Sequence, residues 1–362
     1  MSVVDVQTYV MPAMELVYDE SSQTLRSRWP RIEPLLALTR PTPGVGDWPS
    51  PYLRVPEDAG AVVDLHGGPT APRLPRPAAA SAAVEPGVLH DNPAGRLRAM
   101  DSAGASVHVI GPALALDVDA ALGSAVTRTI LAAYNRYAIT YCSAAPDRLK
   151  AVLQIHGGEP HWSARQLEDL GDDACVAGVT AHLPARIAPD SRNFEPIWRA
   201  LESSGLPLVH RPGAGTTAWT PQRLLSYLTL SGVLDRHPGV TLVLAGWPAG
   251  WLADWCEAQR SGARSRDFLR LVQDGRVYVG IDPLEEPGDV QRVIDATGDR
   301  WLLWQSHFPF GAGAAGDDAL LPGVRGPTRD RILRENAVAA LRLSHEAVSP
   351  HEPTRQGLER VV

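Results

Sequence analysis

VAGVTAHLPARIAPDSRNFEPIWRALESSGLPLVHRPGAGTTAWTPQRLLSYLTLSGVLDRHPGVTLVLA, residues 176–245, is the stretch whose reading decides the fold. Three short runs rich in β-branched and aliphatic residues, at 176–181, 207–210 and 241–245, alternate with two segments of helical spacing, at 194–204 and 220–236. Parallel strands buried on both faces read as near-continuous apolar runs, and each return to the same edge of the sheet takes a helix. The stretch therefore predicts two consecutive βαβ units.

Working outward, the same kind of run recurs at 3–6, 106–110, 149–155, 276–281 and 301–305, and a further apolar-striped helix is predicted over 120–144. Eight strands separated mostly by helices predict an α/β fold closed as a (β/α)8 TIM barrel rather than an open sheet. The rhythm breaks between about 11 and 95, where Pro, Gly and Ala are frequent and no period persists. This is read as a long insertion after the first strand. A barrel places such a loop at its carboxyl-terminal mouth, as a lid or a subunit contact. One barrel is expected over 1–345, followed by a polar tail at 346–362.

With 362 residues, 44% hydrophobic and 21% charged, the chain has ample material for a core. The formal charge of −7 and the lack of a Lys/Arg run exclude a broad phosphate-neutralising surface, so no nucleic acid partner is expected. Three distant cysteines, Cys142, Cys175 and Cys256, form neither a disulfide framework nor a zinc knuckle and read as reduced, buried small side chains. No basic leader and no window of eighteen apolar residues is present, which predicts no membrane association and a cytoplasmic location.

The strand ends are more specific. VVDVQTYVMP (3–12), RLRAMDSAGASVHVIGP (96–112) and AYNRYAITYCSAAPDRLKAVLQI (133–155) run through the first three strands. FEPIWRALESSGLPLVHRPGAG (194–215), SGVLDRHPGVTLVLAGWPAGWL (231–252), DRWLLWQSHFPF (299–310) and RILRENAVAALRL (331–343) follow. In these stretches the chain resembles the amidohydrolase-2 family, which includes amino-carboxymuconate-semialdehyde decarboxylase and related lyases and hydrolases.

The resemblance implies where a metal would sit, and most of those positions are altered. The first-strand HxH or DxH ligand pair aligns with Gln7 and Tyr9, the sixth-strand ligand with Gly246, and the aspartate of the eighth-strand SDYP motif with His307. Only the fifth-strand histidine is retained, as His210. Catalytic zinc keeps about three protein ligands, and one imidazole, an amide and a phenol do not make that set. No cofactor is expected, with zinc only in a relocated site built from His210, His182, His307 and His156. The alternative reading of these histidines is hydrogen bonding to backbone or lining of a polar pocket.

Other conspicuous residues have plain readings. Trp247, Trp251, Trp301 and Trp304 read as packing, His66 in VVDLHGG lies inside the insertion, and GAGAAG at 311–316 lacks the Lys-Ser/Thr of a phosphate loop. Three functions are compatible with this pattern. One is a pseudoenzyme subunit, in a homo-oligomer or with a metal-bearing amidohydrolase paralogue or biosynthetic enzyme. Another is a hydrolase or decarboxylase acting on a small carboxylated or aromatic substrate, with His307, His210, His182 and Tyr9 as catalytic groups. The third is a small-molecule binding protein. Gln7, His156, Trp247 and Arg211 are the candidate ligand contacts.

Overall fold

The structure is a computed structural model that describes residues 2–10, 91–113, 123–184, 187–211, 219–260, 270–281, 285–309, 321 and 323–344, with short pieces at 23, 26–27, 52–54, 62–64 and 88. Eight parallel strands form one sheet: β1 (Val3–Val10), β2 (Ala105–Pro112), β3 (Leu149–His156), β4 (Val176–His182), β5 (Leu208–His210), β6 (Leu242–Leu244), β7 (Val277–Ile281) and β8 (Leu302–Trp304). They lie side by side in chain order, the arrangement of a (β/α)8 TIM barrel. Every predicted run falls on a barrel strand. A separate antiparallel ribbon, Tyr52–Arg54 with Val62–Asp64, belongs to the predicted insertion, most of which lies outside the described residues. So do the whole of the predicted tail, His66 and the 311–316 loop.

Local chemistry sets the helices. In α1 (Pro93–Ala103), the Asn92 side chain accepts the Gly95 N–H, Pro93 opens the first turn, and Gly104 ends it in the left-handed region. Helix α2 (Ser124–Cys142) and helix α3 (Pro160–Leu170) flank β3 in sequence, and α4 (Glu195–Ser204) stops at Gly205, φ 66°. The single helix predicted over 220–236 is instead two, α5 (Pro221–Leu230) and α6 (Val233–Arg236). Gly232, at φ 71°, breaks them. The closing helix likewise includes a π turn at Arg331–Glu335 before Asn336–Leu341. Cys142, Cys175 and Cys256 are buried and in no disulfide among the described residues, and no helix of those residues is long and apolar enough to cross a membrane.

The barrel closes where β1 meets the chain leaving β8. The Tyr9 N–H donates to the Phe308 carbonyl at 2.9 Å, and the His307 N–H to the Gln7 carbonyl at 3.0 Å. Asp5 completes the seam: its Oδ1 accepts from the Ser306 N–H at 3.1 Å and the Gln7 N–H at 3.2 Å, and its Oδ2 accepts from the Ser306 hydroxyl. Arg96, fully buried on α1, braces the outer side by donating to the Tyr9 carbonyl, to Thr8 Oγ1 at 3.3 Å and to the Tyr141 hydroxyl at 3.1 Å. Its guanidinium also lies 5.1 Å from the centre of the Phe308 ring.

Removing the Asp5 carboxyl strands three buried donors. Asp5→Ala is expected to cost about 3 kcal/mol or more of unfolding free energy in urea, whereas Asp5→Asn, which keeps the acceptor oxygen, costs about 1 kcal/mol or less at neutral pH. Equal losses in the two variants would remove the seam from its assigned role.

Candidate functional site

Four of the predicted residues meet at the mouth. Gln7 and Tyr9, two apart on β1, point the same way. Gln7 Nε2 donates to the Tyr9 hydroxyl at 2.8 Å, and that hydroxyl lies 2.8 Å from His307 Nδ1. The hydroxyl accepts from Gln7 and is hydrogen-bonded to His307 Nδ1, the direction of that bond following the imidazole tautomer. Arg211 Nη1 reaches Gln7 Oε1 at 3.4 Å, and the guanidinium lies 5.9 Å from the centre of the Tyr9 ring. Gln7, Tyr9, Arg211 and His307 are all buried.

Arg211 leaves the end of β5, four strands around from β1, and yet its guanidinium is packed against β1 and β2. A Cβ on Gly111 of β2 would stand 1.8 Å from Nη2, so that glycine is what admits the cation. The side chain therefore crosses the barrel mouth. Burial lowers the Arg211 pKa from its ordinary value, with the nearby Tyr9 and Tyr134 acting in the opposite direction.

His307 holds a left-handed backbone, φ 59°, unusual for a residue with a Cβ. The cost is about 1 kcal/mol or more, and the bond from its N–H to Gln7 keeps it there.

The remaining histidines are engaged elsewhere. His210 Nε2 donates to the Trp219 carbonyl at 2.6 Å, and its ring stacks on Trp247 with centroids 6.2 Å apart. Burial pushes its pKa down to about 4, so it is neutral at pH 7. His182 Nε2 lies 3.1 Å from Gln154 Oε1, and His156 Nδ1 accepts the Gly158 N–H at 3.0 Å. The register pairs His156 with His182. Among the described residues no three His, Cys, Asp or Glu side chains are grouped to hold a metal ion.

Gly246 has φ 77° and donates its N–H to Gln305 Oε1 at 2.7 Å, so backbone conformation explains a glycine at the sixth-strand position. Gly280 makes room for the Gln305 side chain: a Cβ there would stand 2.2 Å from Oε1. Trp301 and Trp304 are core residues, while Trp251 packs edge-on against Trp255.

Sequence reading missed Asp5, Ser306, Gln305 and Tyr134. An aspartate inside an otherwise apolar strand, VVDVQ, was the available signal for the first. The pairing of Gln305 with a distant glycine left none.

A family profile described as amidohydrolase matches residues 87–343. The chain belongs to the amidohydrolase family. No curated protein sequence matches the chain. Among solved structures, an amidohydrolase from Mycobacterium avium subsp. paratuberculosis K-10 is similar at TM-score 0.68 and 15% identity, covering 95% of this chain and 98% of the other. A 5-carboxyvanillate decarboxylase from Novosphingobium aromaticivorans DSM 12444, complexed with manganese and 4-hydroxy-3-methoxy-5-nitrobenzoic acid, is similar at 0.64 and 16%, covering 94% and 96%. A 5-carboxyvanillate decarboxylase from Sphingomonas paucimobilis is similar at 0.60 and 17%, covering 95% and 99%. At these identities the likeness is one of fold.

The metal that the family implies does not fit this donor set. A divalent ion replaces its hydration shell with several anionic or strongly donating ligands. Here His210 spends Nε2 on a carbonyl and Gly246 has no side chain. Asp5, the one fully buried carboxylate among the described residues, has both oxygens on the seam, and a guanidinium lies against Gln7 and Tyr9.

Desolvation, opposed by the bonds from Ser306 and Gln7 and by the charge of His307, raises the Asp5 pKa from 3.8 to about 6. The folded chain thus keeps a proton that the unfolded chain releases across that window. The Asp5 contribution to stability is full below about pH 4 and is lost as pH rises through 6, a change on the order of 3 kcal/mol. Urea unfolding from pH 4 to 7 should show this decline in the wild-type chain and a shallower one in Asp5→Asn. Identical profiles would contradict the assignment.

Proposed function

We propose that this amidohydrolase-family chain works without the family's divalent ion, as a pseudoenzyme with respect to metal-assisted hydrolysis or decarboxylation. Its role is then to bind a small molecule at the mouth and to support a metal-bearing amidohydrolase paralogue in an oligomer. The observation that carries the reading is the Arg211 guanidinium, lying across the mouth on the two β1 side chains that stand at ligand positions in relatives. A fixed cation there opposes a second one, and on a rough scale two unit charges a few ångströms apart repel by several kcal/mol in a protein environment. The decarboxylase from Novosphingobium holds manganese and a substituted benzoic acid together. In this chain an arginine takes the place of the metal as the source of positive charge.

A second reading is turnover by proton transfer, and the Tyr9–His307 hydrogen bond favours it. A buried phenol and an imidazole within hydrogen-bond distance form an acid–base pair for a hydration or decarboxylation. On that reading His307→Ala abolishes turnover while leaving ligand affinity within about threefold.

Metal content decides the main proposal. Untagged protein analysed by inductively coupled plasma mass spectrometry should carry less than about a tenth of an equivalent of zinc or manganese, and added zinc should bind no tighter than about 0.1 mM. A preparation co-expressed with a metal-bearing paralogue should carry metal in proportion to the paralogue. Near-stoichiometric metal in the chain alone would overturn the proposal.

A further inference from the structure

At the end of the barrel opposite the mouth, the turn 237–240 leads into β6 and is held from two sides. Arg276, just before β7, donates to the carbonyls of Leu234, His237 and Val240 at 2.8, 2.6 and 3.0 Å. On the other side stands α4. Glu202 Oε1 accepts the Gly239 N–H at 3.0 Å, and Glu202 Oε2 lies 3.1 Å from His237 Nδ1. Glu195, about two turns earlier on the same helix, approaches the other ring nitrogen. Its Oε1 is 3.4 Å from His237 Nε2.

The imidazole is therefore set between two carboxylates, and its side chain is 4% exposed. A neutral imidazole has one N–H and one lone pair, whereas an ionised carboxylate only accepts. With the ring neutral, one nitrogen turns a lone pair toward a negative oxygen. With the ring protonated, both nitrogens offer a proton, and one positive charge joins two negative ones. The charged neighbours are Glu195, Arg199 and Glu202 on α4, Arg276 from the start of β7, and Asp235 and Arg236 on α6. Arg199 Nε reaches Glu195 Oε1 at 3.2 Å, and Arg236 is turned to the Ser231 carbonyl. Against burial, contacts with His237 and Arg199 hold the Glu195 carboxyl below the ordinary carboxylate value. The Glu202 carboxyl is held below it by the Gly239 N–H first and then, against burial, by His237.

We infer that protonated His237 is a latch tying α4 to the turn that feeds β6, and that the latch releases when the imidazole gives up its proton. Helix α4 leads into β5, so the latch joins the bottom ends of two neighbouring strands. It stands apart from the mouth and does not depend on the metal-free reading. Its pH dependence has two limbs. The carboxylates are held below 4.5, so the acid limb lies below that pH, where they take up protons and the stabilisation is lost. On the other limb, histidine exchanges its proton between about pH 5 and 8, and the contribution fades as pH rises through that range.

The test compares the full chain with His237→Gln by thermal unfolding at about pH 5.5, 7 and 8.5 and constant ionic strength. The Asp5 contribution is common to both chains and drops out of the difference. Wild type is expected to melt at least about 2 °C above His237→Gln at the lowest pH, with the gap falling to less than about half at the highest. Glu195→Gln and Glu202→Gln should show the same narrowing. At the lowest pH, either one combined with His237→Gln should lose less than the two single losses added together. Hydrogen exchange in a peptide spanning 233–241, corrected for the intrinsic rate, should show wild type losing protection as pH rises and His237→Gln poorly protected throughout.

A gap that stays constant across the range would overturn the inference, since packing of the ring is indifferent to its charge. So would a gap that widens with pH, or additive losses in the double variants. Should His237→Gln fail to fold, the two glutamate variants and the exchange measurement on wild type decide the matter. Unchanged protection of 233–241 across the range would then overturn the latch.

Discussion

The seam between β1 and the chain leaving β8 is the constraint on which the rest depends. A parallel barrel must bring its first and last strands together, and here one buried carboxylate, Asp5, gathers two backbone N–H groups and a hydroxyl to do so. The two flanking backbone bonds fix Gln7 and Tyr9 opposite His307. That closure imposes the left-handed backbone at His307 and aims its imidazole at the Tyr9 hydroxyl. The mouth is therefore a direct product of how the barrel shuts. Arg96 clamps the same strand from outside, so both faces of β1 are held by charge-bearing side chains.

On the proposed metal-free reading, the positive charge of the mouth comes from the chain itself. The similar decarboxylase from Novosphingobium is complexed with manganese. This chain carries a cation on Arg211, beside the Gln7 amide and the Tyr9 phenol. The one buried carboxylate of the described residues is used for closure, so it does not neutralise the arginine. Burying a charge without a partner opposes folding, and the field it leaves favours an incoming anion. Gly111 is the sequence-level permission for this, since any side chain there would collide with the guanidinium.

The barrel was legible because its signal is redundant. Eight apolar runs alternating with helical segments identify the strands even when several boundaries shift, and they survive a local miss such as the break at Gly232. The positions of Gln7, Tyr9 and His307 were legible through the family resemblance, which fixes strand ends. What those residues touch was not. Arg211 belongs to β5 in sequence and to β1 and β2 in space, a long-range placement that no periodicity encodes. The same holds for Gln305, whose oxygen meets the backbone of Gly246 across 59 residues. The mouth histidines illustrate the limit from the other side. They share one end of the barrel, yet His210 is committed to Trp219 and His182 adjoins Gln154.

The central claim is that Arg211 stands in for the metal. The most direct measurement is zinc affinity by competition with a chromophoric chelator, in a chain given ligands at the altered positions (Gln7→His, Tyr9→His, His307→Asp), with Arg211 kept or changed to Met. The account predicts that the restored chain binds zinc at least about a hundredfold more tightly once Arg211 is removed, the charge repulsion being relieved. Equal zinc affinity with and without Arg211 would contradict it, and would mean that the arginine and the metal occupy different places in the mouth.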